Sequence, residues 1–536
     1  MNHNYLNYPY PSRQMTRFSK KGMVATSQPL AAQAGLDILK KGGNAVDAAI
    51  ATAACLTVVE PTSNGIGGDA FAIVWMKDKM YGLNASGPSP KNISIKDVKA
   101  RGFKKMPKRG WIPVTVPGAP SAWVALSEKF GNLSLKEVFE PAINYAKEGY
   151  PVSPILSKHW EQAHQKFKTK LTKEQFSYWF ETFTIEGKSP KSGDLWKSNG
   201  HADTLQKIAK TKGEAFYKGE LAEKIDRFSR KYEGFLRKKD LSAYSPEWVE
   251  PLSVKYRDYD VWELPPNGQG LVALLALNIL EGFDFKSKEK VETYHKQIEA
   301  LKLAFVDGKK YITDPKNMKV SIEKLLSQNY AINRRSLINN RALNPKPGAF
   351  TKSGTVYLST ADKQGNMVSF IQSNYMGFGS GLVVPNTGIA LQNRGHSFSL
   401  NKQNHNTLAP YKKPYHTIIP GFLTKNNRPI GPFGVMGGYM QPQGHVQVLM
   451  NLIDFALNPQ ASLDAPRWQW IKNKEILVEK NFPSHIAKEL ARKGHKIRVE
   501  LDASSFGRGQ IILKDSERKI YIGGTEKRTD SQIAVW

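Results

Sequence analysis

Cysteine is almost absent from this sequence. Cys55 is the only one among 536 residues, so no intrachain disulfide can form. Long apolar runs are missing too. The longest, AAIATAACLTVV, is too short and too rich in alanine to cross a bilayer, so no membrane span is expected. The first twenty residues, MNHNYLNYPYPSRQMTRFSK, hold no apolar stretch. That argues against a secretory leader and makes the cytoplasm the expected compartment. There is no HExxH pair, no Gly-x-Ser-x-Gly elbow and no solenoid-type repeat. The histidines are dispersed without metal-ligand spacing, so neither a metal nor a cofactor is expected.

Negative charge is the other deficit. Asp and Glu number 47 against 77 Lys and Arg, a formal charge of +30. Such an excess is one mark of a nucleic-acid binder. Here the lysines are scattered through helix-like segments such as KTKLTKEQ and KIAKTKGEAFYKGE, interleaved with acids. There is no recognition helix, no paired metal-ligand cysteines and no aromatic platform. The charge reads as a solvated basic surface that can draw an anionic substrate inward, with no nucleic-acid partner. A non-catalytic polyanion-binding protein is the alternative it leaves open.

What the chain does have is a well-patterned globular sequence, 40% hydrophobic and 23% charged, at a mass of 60.0 kDa. SQPLAAQAGLDILKKGG (27–43) reads as a helix with Ser27 as its N-cap and Gly42-Gly43 as its stop. Asn44 caps a second helix of small residues that Pro61 ends, and Cys55 reads as a packed core thiol within it. SNGIGGDAF (63–71) leads into the strand-like AFAIVWM and lacks the helix and trailing Lys-Ser or Lys-Thr of a phosphate loop. Residues 155–200 look like a peripheral helical excursion. SVKYRDYDVWEL (253–264) alternates as one strand. PPNGQG opens an apolar helix, and VETYHKQIEALKLAFVDGKKYI is another.

Two stretches carry chemistry. Residues 335–354 are basic, with two prolines and two glycines, and read as an exposed loop. TVYLSTAD, KQGN and MVSFIQSNY follow as a β-hairpin, so Thr355 stands where loop becomes strand. It is either simply an early strand residue or, if the chain is cut after Gly354, a nucleophile whose own α-amine serves as base. Further on, GPFGVMGGYMQPQGHVQVLMNLIDFAL places Gly437 and Gly438 before a helix starting near Pro442. Such a pair is either a plain turn or a source of backbone N–H donors for an oxyanion.

Together these segments resemble the γ-glutamyltransferase family of N-terminal-nucleophile hydrolases, from about residue 20 to the C-terminus. The resemblance is carried by GMVATSQPLAAQAGLDILKKGGNAVDAAIATAACLTVVEP, SNGIGGDAF, VTVPGAPSAW, PPNGQG, TVYLSTADKQGN, GFGSGLVVPNTGIALQN and GGYMQPQGHVQVLMNLIDF. It looks most like the signal-less, transferase-like branch known largely from bacteria. The resemblance implies an α+β fold, a four-layer αββα sandwich. It implies an inactive precursor that cuts itself between Gly354 and Thr355 into a large chain, 1–354, and a small chain, 355–536, which stay together as a heterodimer forming one intertwined domain. By matched position Gly437 and Gly438 fall at the oxyanion glycines and Ser373 at a hydroxyl supporting the nucleophile. Thr417 falls at one of two substrate-contacting serines, and His416 replaces the other.

The departures concern the glutamyl head group. Ser86 aligns where the family holds the α-carboxylate with arginine, Ser397 where an aspartate binds the α-amino group, and Tyr375 where an asparagine lines the same pocket. Arg394 and His396 lie in the same segment and are either substitute contacts for an acid or surface residues. The expected function is a self-processing amidohydrolase or acyltransferase cleaving γ-glutamyl amides such as glutathione through an acyl-Thr355 intermediate. A glutaryl-type (cephalosporin) acylase on the same fold is the alternative, since its acyl group lacks the groups those anchors serve.

Overall fold

A computed structural model describes residues 9–12, 14–345 and 354–536. The run Asp69–Met76, DAFAIVWM, shows how its layers arise. The strand is buried along its whole length. Ala70, Ala72 and Val74 join one apolar core, while Phe71, Ile73 and Trp75 join another. Period-two alternation thus divides one strand between two cores, as a strand covered on both faces requires. The hairpin Gly354–Asp362 and Met367–Tyr375 divides likewise: Val356, Leu358, Val368 and Phe370 go to the first core, Tyr357, Ala361, Met367 and Ile371 to the second.

That second core lies between two seven-stranded sheets. The first runs Gln532–Val535, Gly22–Thr26, Gly354–Asp362, Met367–Tyr375, Asp69–Met76, Lys79–Ala85, Glu247–Val249. The second runs Arg17–Ser19, Ile520–Thr525, Arg508–Asp515, Arg428–Met436, Gly421–Lys425, Tyr259–Glu263, Leu252–Tyr256. Helices Pro29–Lys40 and Ala45–Val59 cover the outer face of the first sheet. Helices Gly270–Glu281, Val291–Tyr311 and Met440–Ile453 cover that of the second. Three apolar clusters fill three gaps, and the fold is the α+β, four-layer αββα sandwich expected. Segments before and after Gly354 contribute strands to both sheets.

Local differences from the sequence reading have simple causes. Gln28, not Ser27, caps the first helix, its Oε1 accepting from the N–H groups of Leu30 and Ala31; Pro29 takes the first helical position and Ser27 instead bonds Glu60. Residues 253–264 are a hairpin, Leu252–Tyr256 and Tyr259–Glu263, because the chain turns at Arg257, whose φ is +54°. The helix after the glycine pair begins at Met440. Cys55 is fully buried, and burial pushes its thiol well up, which keeps it inert. Residues 336–345 carry no regular structure, and the rest of the expected loop, 346–353, lies outside the described residues.

The stretch 155–200 is not peripheral. Trp160, Trp179, Phe183 and Trp196 are buried. Phe378 enters this cluster, with ring centroids 5.0 Å from Trp179 and 4.8 Å from Phe183. The excursion therefore braces the segment that follows the nucleophile hairpin. Phe378→Ala is expected to cost about 3–5 kcal/mol of stability in urea unfolding. A loss below about 1 kcal/mol would show that the cluster does not brace this segment.

Candidate active site

Thr355 lies one residue into its strand, where the register with Met367–Tyr375 shifts between Gly354 and Val356. A bulge of this kind re-aims a side chain. Thr355 Oγ1 meets Ser373 Oγ at 3.1 Å, and both residues are buried. Ser373 Oγ also accepts from Tyr375 N–H at 2.8 Å and from Arg394 Nη2 at 3.4 Å. Two donors thus converge on the hydroxyl that meets Thr355.

Arg394 has no exposed surface. Its Nη1 donates to Thr417 Oγ1 at 2.6 Å, and its guanidinium lies 4.3 Å from the centre of the Tyr375 ring. Its Nε, 3.9 Å from Asp69 Oδ2, has no hydrogen-bond acceptor among the described residues. Asp69 is the register partner of Ser373, so alternation puts the two side chains on the same face. Burial pushes the Asp69 carboxyl up to about 7, against the opposing pull of Arg394, because the pair is loose. Burial likewise brings Arg394 down to about 10. His416 lies 3.0 Å from Asp69 Oδ2 through Nε2, and its Nδ1 accepts from Ile418 N–H at 3.4 Å. Burial, then Arg394 and Lys413, hold it well below the ordinary histidine range, so it is neutral and donates to Asp69.

Gly437 and Gly438 follow the second-sheet strand Arg428–Met436. Both have positive φ, +133° and +63°, a geometry that favours glycine. Their carbonyls accept from Met440 and Gln441 N–H at the helix start, while neither glycine N–H has an acceptor among the described residues. Gln269 ties this turn to the rest: its Nε2 donates to Gly438 O at 2.8 Å and to Thr417 O at 2.7 Å, and its Oε1 accepts from Tyr415. A path of hydrogen bonds, through side chains and two backbone carbonyls, thus runs from Gly438 through Gln269, Thr417, Arg394 and Ser373 to Thr355.

Other expected site residues are engaged elsewhere. Ser86 Oγ bonds Asn84 Oδ1 at 2.7 Å and Asn267. Ser397 Oγ bonds the carbonyls of Arg394 and Tyr415 at 3.0 and 2.9 Å. His396 Nδ1 reaches Met106 O at 2.8 Å. Asp69 and Gln269 escaped notice in the sequence. The signal for Asp69 was an acid at the head of a strand apolar on both faces.

A buried threonine hydroxyl near the start of a central strand of an αββα sandwich, held by a second buried hydroxyl, is the arrangement of the N-terminal-nucleophile hydrolase class. The chain belongs to the gamma-glutamyltranspeptidase family, whose model matches residues 31–536. It is similar to the glutathione hydrolase-like YwrD proenzyme of Bacillus subtilis (strain 168), with 37% identity over 522 residues, 95% of this chain and 97% of the relative. It is 32% identical to the oxamate amidohydrolase proenzyme of Klebsiella pneumoniae (strain ATCC 700721 / MGH 78578), covering 96% of this chain and 98% of the relative. The crystal structure of a cephalosporin acylase from Bacillus halodurans superposes with a TM-score of 0.96 at 61% identity, covering 100% of this chain and 99% of that one. The chain is an enzyme of this family, which displaces the reading as a non-catalytic polyanion binder. Among the described residues no helix is long and apolar enough to cross a membrane.

The native state holds the Asp69 proton between its unfolded value, about 3.9, and its folded value. The stability this group contributes is therefore present at low pH and falls as pH rises through that window, to about 7. Asp69→Asn cannot ionise, so its urea midpoint relative to wild type is expected to shift in its favour between pH 5 and pH 8. A difference that does not change with pH would contradict the buried carboxyl.

Proposed function

We propose that this protein is a self-processing amidohydrolase or acyltransferase that takes amides of carboxylate-bearing acyl groups. In the precursor, Thr355 Oγ attacks the Gly354 carbonyl carbon, the Gly354–Thr355 amide becomes an ester, and water hydrolyses it. The products are residues 1–354, ending in a carboxylate, and 355–536, beginning with a free amine. That amine, near the ~7.7–8.0 of an α-amino group, takes the Oγ proton during turnover. Oγ then attacks the substrate amide, the Gly437 and Gly438 N–H groups stabilise the oxyanion, and the amine leaves with a proton. Water or an acceptor amine releases the acyl group from Thr355.

The observation that carries the acyl preference is Arg394, a buried guanidinium with an unused Nε–H. Its Nη2 is 3.4 Å from Ser373 Oγ, which is 3.1 Å from Thr355 Oγ1, so nucleophile and cation are at most about 6.5 Å apart. A five-carbon acyl chain with a terminal carboxylate spans about 5–6 Å at roughly 1.5 Å per carbon–carbon bond, and lies along such a wall with one end at each group. γ-Glutamyl amides such as glutathione meet this description, and Asp69 beside Arg394 offers an acid for their α-ammonium group. Glutaryl-type amides are the second reading, favoured by Ser86 and Ser397, whose hydroxyls are already spent on other partners.

Intact mass should find a fragment beginning at Thr355, absent from Thr355→Ala. A persistent single chain in the wild type would remove the mechanism. Among p-nitroanilides, γ-glutamyl and glutaryl substrates are expected to exceed butyryl in kcat/KM by about 10- to 100-fold, the worth of a charged hydrogen bond. Arg394→Leu should erase that margin. Equal turnover of all three by the wild type would rule out an acid anchor.

A further inference from the structure

Away from the nucleophile, the fold draws together side chains far apart in sequence. His295 and Glu299, one turn apart on Val291–Tyr311, meet His495, just beyond Ser484–Arg492. Their ligand-type atoms lie within 4.8 Å of one another in a buried position, the spacing of a metal site that the dispersed histidines of the sequence did not suggest. A cation is already in place. Lys302 Nζ, fully buried, donates to Glu299 Oε1 at 2.7 Å, to Leu343 O at 3.2 Å and to His495 Nδ1 at 3.4 Å.

The protons follow by elimination. Asn339 O only accepts, so His295 Nε2 carries the hydrogen that reaches it at 2.7 Å. His295 Nδ1 then accepts from His495 Nε2–H at 2.9 Å, which leaves His495 Nδ1 to accept from Lys302. All three ammonium hydrogens are used, and neither imidazole keeps a lone pair for a metal. Burial lowers both histidines, helped by Lys302 and Lys493 at each and by Lys474 at His495, and keeps them neutral.

What this network grips is the main chain. Glu299 Oε2 accepts Leu343 N–H at 3.1 Å, so one buried ion pair holds both backbone groups of Leu343. His295 holds Asn339 O. Ala342 N–H donates to Lys493 O at 2.8 Å, and Arg341 Nη1 to Arg492 O at 3.0 Å. The gripped residues and Lys302 precede Gly354, whereas Arg492, Lys493 and His495 follow it. Desolvation makes a buried ion pair a poor source of net stability. Its use here is to fix a geometry.

We infer that Lys302, Glu299 and the His295–His495 pair form a clamp that fixes residues 339–343 as the upstream anchor of the chain leading to the Gly354–Thr355 bond, whose downstream side the strand Gly354–Asp362 holds, and that keeps the large chain's new end on the small chain after self-cleavage. The inference rests on the cleavage reading above. Gly354 lies eleven residues beyond Leu343, so the released end stays within roughly 40 Å of the clamp. These are positioning residues and touch no substrate.

The test follows self-cleavage by intact mass in wild type, Lys302→Met and His495→Gln, with hydrogen exchange at the Leu343 amide of the mature wild type. Leu343 is expected to be strongly protected. Both variants should cleave at least about tenfold more slowly, since a misplacement of about 1 Å costs up to 10²-fold. Their cleaved fraction should keep the wild-type kcat/KM on an anilide. Cleavage at the wild-type rate, or an equal fall in cleavage and kcat/KM, would overturn the clamp. Should the variants not fold, free exchange at Leu343 in the wild type overturns it on its own, and protection there upholds the grip. A wild-type chain that never cuts overturns the cleavage reading and the inference with it.

Discussion

A guanidinium with no exposed surface sits at the heart of this protein, and its neighbours are arranged around the need to hold it. An arginine buried without partners is not tolerated, because the loss of hydration far exceeds what apolar contact returns. Arg394 is held by Thr417, by Ser373, by the face of Tyr375 and, loosely, by Asp69. Ser373 and Tyr375 come from the strand Met367–Tyr375, Asp69 from the strand beside it and Thr417 from a loop that Gln269 links to Gly438, so the cation joins the Thr355 hairpin to the glycine turn. The looseness of the Asp69 contact has its own consequence. It leaves the Nε–H without an acceptor among the described residues, close to the proposed nucleophile.

The same constraint explains His416. A second cation there would face Arg394 and Lys413 with no exposed surface, so the ring stays neutral and gives its one N–H to Asp69. In the family comparison this position looked like a substrate contact altered by substitution. In the fold it is a prop for the acid that faces the arginine. Replacements at Ser86 and Ser397 read the same way, as hydroxyls committed to the surrounding backbone and side chains.

The layers were legible through the family resemblance, and AFAIVWM, apolar at every position, carries the physical mark of a strand buried on both faces. Thr355, Ser373 and the glycine pair were legible by position in recognisable segments. Asp69 and Gln269 were not, since each has a role only through a partner far away in sequence, Arg394 for one and Gly438 for the other. The tryptophans of 155–200 misled for the opposite reason. Their segment is polar and basic on average, and the few large aromatics that decide its burial are diluted among lysines. The hairpin at 252–263 was missed because period-two alternation continues across a two-residue turn without a break.

Interleaving of the two parts bears on why a cut between Gly354 and Thr355 can be harmless to the fold. Strand pairing crosses that boundary in both sheets, as between Gly22–Thr26 and Gly354–Asp362 and between Tyr259–Glu263 and Gly421–Lys425. So do ion pairs, among them Glu60 with Arg508 at 3.1 Å and Arg257 with Asp454 at 2.9 Å. Breaking one peptide bond removes none of these contacts and releases only the constraint on the two ends. The nucleophile's end is already fixed by the sheet. The other end is free unless something grips it, and the buried groups around Leu343 are where the fold supplies such a grip. On this view the polar clusters around Arg394 and Lys302 divide the work: one stands beside Thr355, the other holds the end that the cut releases.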